Sequence, residues 1–155
     1  MTFGVEGTFE LGTDGPKSIL VGVDDSTSSL RAAAYAVGLA RRQGARLTIV
    51  YVGPLVPMGG AVPGGGDVIA AEREAFDETA AELRSRAEEA ARERGVDIEF
   101  VAAQGDVFSE IKRIADATRA DAVIVGASTK AGHRLVGSIA VRLVRAGRWP
   151  VTVVP

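Results

Sequence analysis

Cysteine is absent from this 155-residue chain, so disulfides and thiolate chemistry are excluded. Aromatic residues make up only 5% while 46% of the residues are hydrophobic, which favours alanine-rich helices on a valine-rich sheet over an aromatic-packed sandwich. No apolar run approaches the roughly 18 residues of a membrane span, and the N-terminus lacks the basic and apolar segments of a leader peptide. We therefore expect a cytoplasmic protein with no membrane partner, built around one compact domain.

Acidic residues are absent after Asp121, although the formal net charge of the whole chain is -2. The basic residues of that stretch are Lys130, Arg134, Arg142, Arg145 and Arg148. Clustered aromatic side chains do not accompany them, so the pattern gives little support for nucleic-acid binding. A local anion site is one interpretation of this cationic end, and a face of solvated arginines is the other.

Familiar catalytic motifs are missing as well. The sequence has neither GxxxxGKS/T nor a GxGxxG after its first apolar run, which excludes a Walker P-loop and a dinucleotide fingerprint. Gly126-Ala127-Ser128 begins like a nucleophile elbow, but Lys130 replaces the second glycine. His133, the only histidine, lies five residues from Ser128, a poor place for the base of a triad. We do not expect serine hydrolysis.

Metal ligands are scarce, because one histidine and no cysteine leave mainly carboxylates. Asp24-Asp25, directly after the first apolar run, offers Mg²⁺ two ligands alongside phosphates. The same pair is also typical of a helix cap with a solvated neighbour. We assign no metal site from these residues alone.

Apolar runs of strand length alternate with helical patterns along the chain. The strands are predicted at residues 18–23, 47–52, 97–102, 122–125 and 151–154. The helices are predicted at 27–43, from a cap at Asp67 to a stop at Gly95, at 106–118 and at 138–147. The apolar stripe of the first helix is predicted to be Leu30, Ala33, Ala34, Val37 and Ala40. This alternation predicts an α/β fold: a doubly wound, five-stranded parallel sheet with helices on both faces.

Two segments fall outside this pattern. Residues 1–16 are predicted to be a flexible tail, with residues 17–155 forming the domain. The alternative is an added edge strand, across a dimer, because apolar residues occupy the odd positions Phe3, Val5, Phe9 and Leu11. The second segment, residues 53–66, is a glycine- and proline-rich loop of a length that is often functional or mobile.

The most informative stretch runs from Ala122 to Ser138. An apolar run ends at Gly126, a polar loop follows, and Gly137-Ser138 opens the next helical pattern. The first amides of a helix lack intrahelical partners and lie at the positive end of its dipole, so this geometry suits a phosphate. Gly137 allows close approach of the backbone, and Ser138 can cap or donate; a purely structural cap at Ser138 is the alternative. With a strand order of 3-2-1-4-5, Asp24 and Gly126 face each other across one crevice.

Several motifs together resemble the universal stress protein family over residues 17–155. They are residues 21–26 (VGVDDS), 47–52, Gly105-Asp106, 120–126 (ADAVIVG), Gly137-Ser138 and 149–154 (WPVTVV). The resemblance implies an adenine-nucleotide α-hydrolase-like sheet of order 3-2-1-4-5. It also implies a homodimer formed by antiparallel pairing of the final strands, through Val151, Val153 and Val154. Pairing would cover an exposed edge that is otherwise an aggregation hazard, unless the N-terminal residues cover it within one chain.

In one branch of this family the resemblance implies binding of ATP or AMP, with Mg²⁺ as an accompaniment of ATP. Asp24 matches the acidic position at the adenine or ribose, and Val52 matches the apolar residue beside the base. The full set of implied nucleotide-binding residues is Val23, Asp24, Val52, Gly126, Ser128, Thr129, Gly137, Ser138, Ile139 and Ala140. Further phosphate contacts are expected from Lys130 and Arg134, whose charge suits an anion, with His133 joining them.

One departure from the family pattern concerns the phosphate loop. The nucleotide-binding branch has glycine, two residues, glycine, nine residues, then glycine with serine or threonine. Here Thr129 replaces the second glycine and only seven residues separate it from Gly137. Since Thr129 has a Cβ, a positive φ or a close phosphate approach at that position would be hindered.

Two functions follow as hypotheses. The first is a homodimeric stress-response regulator that binds ATP or AMP between the first and fourth strands, with at most slow ATP hydrolysis because no well-placed base is evident. The alternative is a dimeric stress or signalling module that binds no nucleotide and acts through a protein partner. An adenylyl-transferring enzyme is disfavoured, because no paired histidines occur near the first strand.

Overall fold

The structure is a computed structural model that describes residues 15–56, 63–128 and 137–155. Strands and helices alternate along these ranges. The elements are β1 (Ser18–Val23), α1 (Thr27–Gln43), β2 (Arg46–Gly53), α2 (Gly65–Arg94), β3 (Ile98–Gln104), α3 (Val107–Thr118), β4 (Ala122–Gly126), α4 (Ser138–Ala146) and β5 (Val151–Val154). Each of these elements overlaps a predicted one, with ends that differ by three residues or fewer.

The five strands form one parallel sheet in the order β3-β2-β1-β4-β5, which confirms the predicted α/β class and strand order. Strand β1 is central, with Ser18 paired to Arg46 of β2 and Ile19 paired to Ala122 of β4. The chain winds outward from β1 in both directions, so the carboxyl ends of β1 and β4 border the point where the strand order reverses. Ligands of open α/β sheets bind at such points.

Helices cover both faces of the sheet, as predicted, because alternate strand residues point to opposite sides. Helices α1 and α2 pack on one face through a buried cluster that includes Ile19, Val21, Ala36, Leu47 and Leu83. Helices α3 and α4 pack on the other face through a cluster that includes Leu20, Val50, Ile111, Val123 and Leu143. Each strand therefore contributes to two cores, which explains its nearly continuous apolar sequence.

Two details of the helices differ from the prediction. Helix α2 begins at Gly65 after Gly64, whose φ of 86° suits glycine, and Asp67 lies inside the first turn rather than at the cap. The buried stripe of α1 is also rotated, because Ala36 is buried while Leu30 is 37% exposed and Ala34 is exposed. Among the helices of the described ranges, none combines the length and the apolar character that crossing a membrane requires.

Candidate functional site

A cavity of about 310 Å³ lies at the crevice between β1 and β4. Its described walls come from the carboxyl ends of β1, β2 and β4, the first turns of α1 and α4, and the start of α3. Nine of the ten predicted binding residues line it: Val23, Asp24, Val52, Gly126, Ser128, Gly137, Ser138, Ile139 and Ala140. The tenth, Thr129, and the predicted phosphate contacts Lys130, His133 and Arg134 lie outside the described residues.

The turn between β1 and α1 is held by short hydrogen bonds. The Asp24 carboxylate accepts from the backbone N–H of Ser26 at 2.8 Å. The hydroxyl of Ser29 donates to the Asp24 carbonyl at 2.6 Å and accepts from the Asp24 N–H at 3.0 Å. Ser26, not the acidic pair, is the N-cap of α1, because its side chain accepts from the N–H of Ser29. These bonds fix the backbone of Asp24 at the mouth of the cavity.

The end of β4 touches the start of α1 closely. An added Cβ at Gly126 would lie 2.6 Å from the carbonyl carbon of Ser28 and 2.7 Å from the nitrogen of Ser29. The hydroxyl of Ser28, a residue only 4% exposed, donates to the carbonyl of Ala127 at 2.6 Å. Sequence reasoning missed Ser28, and the only signal for it was a serine pair in the first turn of an alanine-rich helix.

The first turn of α4 forms the opposite wall. Gly137 is the N-cap, with φ of -60° and ψ of 158°, so the interpretation of Ser138 as a cap is wrong. Since glycine has no side chain, the cap supplies no acceptor to the first amides of α4, unlike Asp106, which accepts from Ser109 at the start of α3. An added Cβ at Gly137 would lie 2.9 Å from the Cβ of Ser128. Gly137 therefore allows Ser128 and the start of α4 to lie in close contact.

The cavity has a polar side and an apolar side. Hydroxyls and backbone groups at the N-terminal ends of α1 and α4 form the polar side. The apolar side consists of Val50, Val52, Val107 and Ile111. Of these, Val50 and Ile111 are almost completely buried. A ligand with an anionic group and a flat apolar group matches this division. Across the described ranges, no three acidic or histidine side chains come together as a metal-binding group.

Arg142 of α4 and Arg148, just after α4, are directed to α3, not to the cavity. Arg142 forms an ion pair with Asp106 at 3.3 Å and lies over the ring of Phe108. Arg148 forms an ion pair with Asp116 at 2.7 Å and lies over the ring of Trp149. Arg142, Arg145 and Arg148 do not line the cavity, so they do not supply the anion site that the cationic sequence suggested.

Comparison with known proteins assigns the family. The model of the universal stress protein family matches residues 16–155. This chain belongs to that family. A curated universal stress protein from Methanocaldococcus jannaschii is 30% identical to it over 141 residues, which are 89% of this chain and 81% of that protein.

Solved structures of universal stress proteins agree with this assignment. The UspA structure from Lactobacillus plantarum is 26% identical, has a TM-score of 0.72, and matches 90% of this chain and 97% of its own. A universal stress protein solved in complex with cAMP is 25% identical, with a TM-score of 0.64 over 90% of this chain and 96% of its own. The chain thus spans nearly the whole of each of these family members.

Proposed function

We propose that this universal stress protein binds ATP or AMP in the cavity between β1 and β4 and acts as a regulatory homodimer. The observation that supports the proposal is the convergence of nine predicted binding residues on one cavity. Its volume of about 310 Å³ lies at the lower end of the roughly 300–1,000 Å³ of small-molecule sites. A nucleotide, with one flat base and one anionic end, suits its two chemically different walls.

The phosphates are assigned to the first turn of α4 and the end of β4. The amides from Ser138 onward receive no side-chain acceptor from Gly137 and lie at the positive end of the helix dipole. The base is assigned to the apolar wall at Val52, with Asp24 toward the ribose or adenine. A relative that was solved with cAMP supports an adenine nucleotide as the ligand class. Mg²⁺ would enter with ATP, bound mainly by its phosphates.

The homodimer is assigned to β5. Among the strands of the described ranges, β5 is at the edge of the sheet; it is rich in valine, with Val151, Val153 and Val154 each partly exposed. An unpaired apolar edge strand favours pairing with another chain. Pairing of two β5 strands would bury this edge in a symmetric interface.

Calorimetric titration of ATP and AMP into the full chain and its Ser138→Asp variant tests the site. An aspartate at this first helical position favours α4 through the dipole, so the fold is kept, but its charge repels a phosphate. We expect ATP binding to weaken by about tenfold or more. Binding of adenosine, which has no phosphate, should change much less.

The matched control is Ser85→Asp, which adds the same charge to an exposed position of α2 far from the cavity. It should leave ATP binding unchanged. If ATP binding weakened equally in both variants, the cause would be a long-range charge effect. That result would contradict the assignment of the phosphates to α4.

The second candidate function is a dimeric module that binds no nucleotide and acts through a protein partner. It is favoured by the shortened loop, in which Thr129 replaces the second glycine of the family pattern. A native mass spectrum of the purified chain separates the two functions. A bound adenine nucleotide contradicts the second, whereas an unliganded spectrum with no heat of ATP binding contradicts the first.

A further inference from the structure

A second cavity lies between α1 and α2, and we call it the α1–α2 groove. It has a volume of about 180 Å³. Among its described lining residues, only Arg86 and Arg94 carry polar side chains. Its described walls share a single residue, Val23, with those of the cavity between β1 and β4. The groove is therefore separate from the proposed nucleotide site.

Small side chains form the walls of the groove. Ala33 and Ala34 line it from α1, and Ala87 and Ala90 line it from α2. Protein interiors normally contain few voids larger than a water molecule, because neighbouring side chains interdigitate. Alanine side chains are too short to close the space between these two helices. The groove also stays open to solvent on its outer side, where Leu30 is 37% exposed.

The floor of the groove belongs to the hydrophobic core. Val23 and Ile49 come from the sheet and Val37 and Leu83 from the helices, and each is 8% exposed or less. In another protein, an apolar cavity of about 150 Å³ stays dry and binds benzene. A volume of about 180 Å³ therefore suits an apolar group of roughly six to eight carbon atoms. It is far too small for the roughly 20–30 residues that each partner contributes to a protein interface.

Two arginines supply a binding group for an anion. Arg86 approaches Glu82 at 3.6 Å and Arg94 approaches Glu93 at 3.5 Å, with every one of these side chains at least 50% exposed. Exposed ion pairs contribute little, so a second carboxylate can replace the glutamates. Arg94 also donates to the carbonyl of Ala90 at 3.2 Å, and its guanidinium keeps further N–H donors. Helix α1 adds no acidic residue to compete.

We infer that the α1–α2 groove binds a medium-chain fatty acid of about the length of octanoate. The hydrocarbon tail lies on the buried floor between the alanine walls, where burial of apolar surface supplies the affinity. The carboxylate stays at the solvent side and accepts charge-assisted hydrogen bonds from Arg86 or Arg94. This inference does not depend on nucleotide binding, since the two cavities are separate.

Calorimetric titration of octanoate into the full chain, without nucleotide, tests the site. Ala90→Leu fills the groove with a residue of high helix propensity, and it should weaken octanoate binding by about tenfold or more. The matched control is Ala81→Leu, which adds the same side chain at an exposed position of α2 that does not line the groove. It should leave octanoate binding unchanged. Absence of octanoate binding to the unsubstituted chain, or equal binding by the Ala90→Leu variant, overturns the inference.

The assignment of the carboxylate has a test of its own. Combining Arg86→Gln with Arg94→Gln should weaken octanoate binding by about fivefold or more. Binding of octan-1-ol, which has the same tail and no charge, should change much less. The matched control combines Arg73→Gln with Arg92→Gln, which removes the same charge from exposed positions of α2 that do not line the groove.

Two outcomes of this second test contradict a fatty acid as the ligand. One is octan-1-ol binding as tightly as octanoate to the unsubstituted chain. The other is equal weakening of octanoate binding in the two double variants. These substitutions leave the apolar walls and floor unchanged, so the test decides the question even if the Ala90→Leu variant does not fold.

Discussion

Gly126 and Gly137 border the candidate nucleotide site, and both are required by packing. An added Cβ would meet backbone of Ser28 at 2.6 Å in the first case and the Cβ of Ser128 at 2.9 Å in the second. Neither glycine has a positive φ, so a left-handed backbone conformation is not the reason for glycine at these positions. A bulky substitution at either position would therefore change the walls of the cavity whether or not a phosphate binds there.

At the residue scale, Gly126→Ala should destabilise the protein in the absence of any nucleotide. The neighbouring atoms are backbone of α1, which cannot turn away as a side chain can. We expect a loss of about 1–3 kcal/mol in the free energy of unfolding, measured by urea denaturation. Gly66→Ala, in α2 with open space around it, should instead be neutral or stabilising. Equal stability of the Gly126→Ala variant and the unsubstituted chain would contradict the close contact.

Asp106 predicts a pH dependence of stability. Hydrogen bonds from the Ser109 side chain and backbone lower the pKa of this carboxyl below 3.8, and Arg142 lowers it further. A carboxyl whose pKa is lower in the folded state than in the unfolded chain stabilises the fold. This stabilisation is complete when the pH is above the pKa of the unfolded chain. That contribution is lost as the pH falls through the folded-state pKa.

The test is the melting temperature of Asp106→Asn against the unsubstituted chain as a function of pH. Asparagine is itself a good N-cap, so the variant removes the charge and keeps the cap. The melting temperature of the variant should be lower near pH 7, and the difference should shrink as the pH falls below about 3.8. A difference that is independent of pH would show that the charge of Asp106 does not contribute.

At the scale of elements, the edge strand β5 allows a sharp test of the proposed dimer. The carbonyls of Pro150 and Val154 accept from the amides of Val123, in β4, and Ala127, directly after it. In a parallel pair, alternate residues bond to the same neighbour, so the backbone groups of Val153 point away from β4. A proline at residue 153 therefore removes an outward donor and leaves the bonds to β4 in place.

We expect Val153→Pro to be a folded monomer, because proline is tolerated on an edge strand but cannot pair with a second β5. Sedimentation velocity gives the mass, and circular dichroism checks the fold. Val154→Pro is the control, since it removes a bond to β4 and should destabilise the fold itself. A stable dimer in the Val153→Pro variant would place the interface elsewhere.

Helix ends show what local sequence can and cannot predict. Gly44, Gly95 and Gly147 end their helices in the left-handed region, and the sequence signals each one by its glycine. Arg119 ends α3 in the same conformation, with φ of 51°, and nothing in its residue type signals this. The starts of helices are harder to predict. Gly64 rather than Asp67 is the N-cap of α2, and glycine and aspartate are both common at that position.

For the whole molecule, periodicity was enough to predict the strands, the helices and their alternation, since each depends on nearby residues. The order of the strands came from the resemblance to universal stress proteins, because local sequence does not encode which strands pair. The family-matched residues of the crevice came from the same resemblance, and the strand order predicted that Asp24 and Gly126 face each other. The Ser28–Ala127 hydrogen bond did not, since it joins residues 99 apart whose contact exists only in the folded sheet.

The proposed site and the proposed dimer edge meet on adjacent strands, and this predicts that they are coupled. Gly126 pairs with Val154, and the Ala127 amide donates to the Val154 carbonyl at 2.7 Å. We therefore expect a phosphate held at the end of β4 to order the end of β5 as well. We expect saturating ATP to tighten the dimer by about fivefold or more, as measured by sedimentation over a dilution series. Because linkage is reciprocal, the monomeric Val153→Pro variant should bind ATP more weakly by the corresponding factor. An unchanged dimer dissociation constant with ATP bound would show that the two sites act independently.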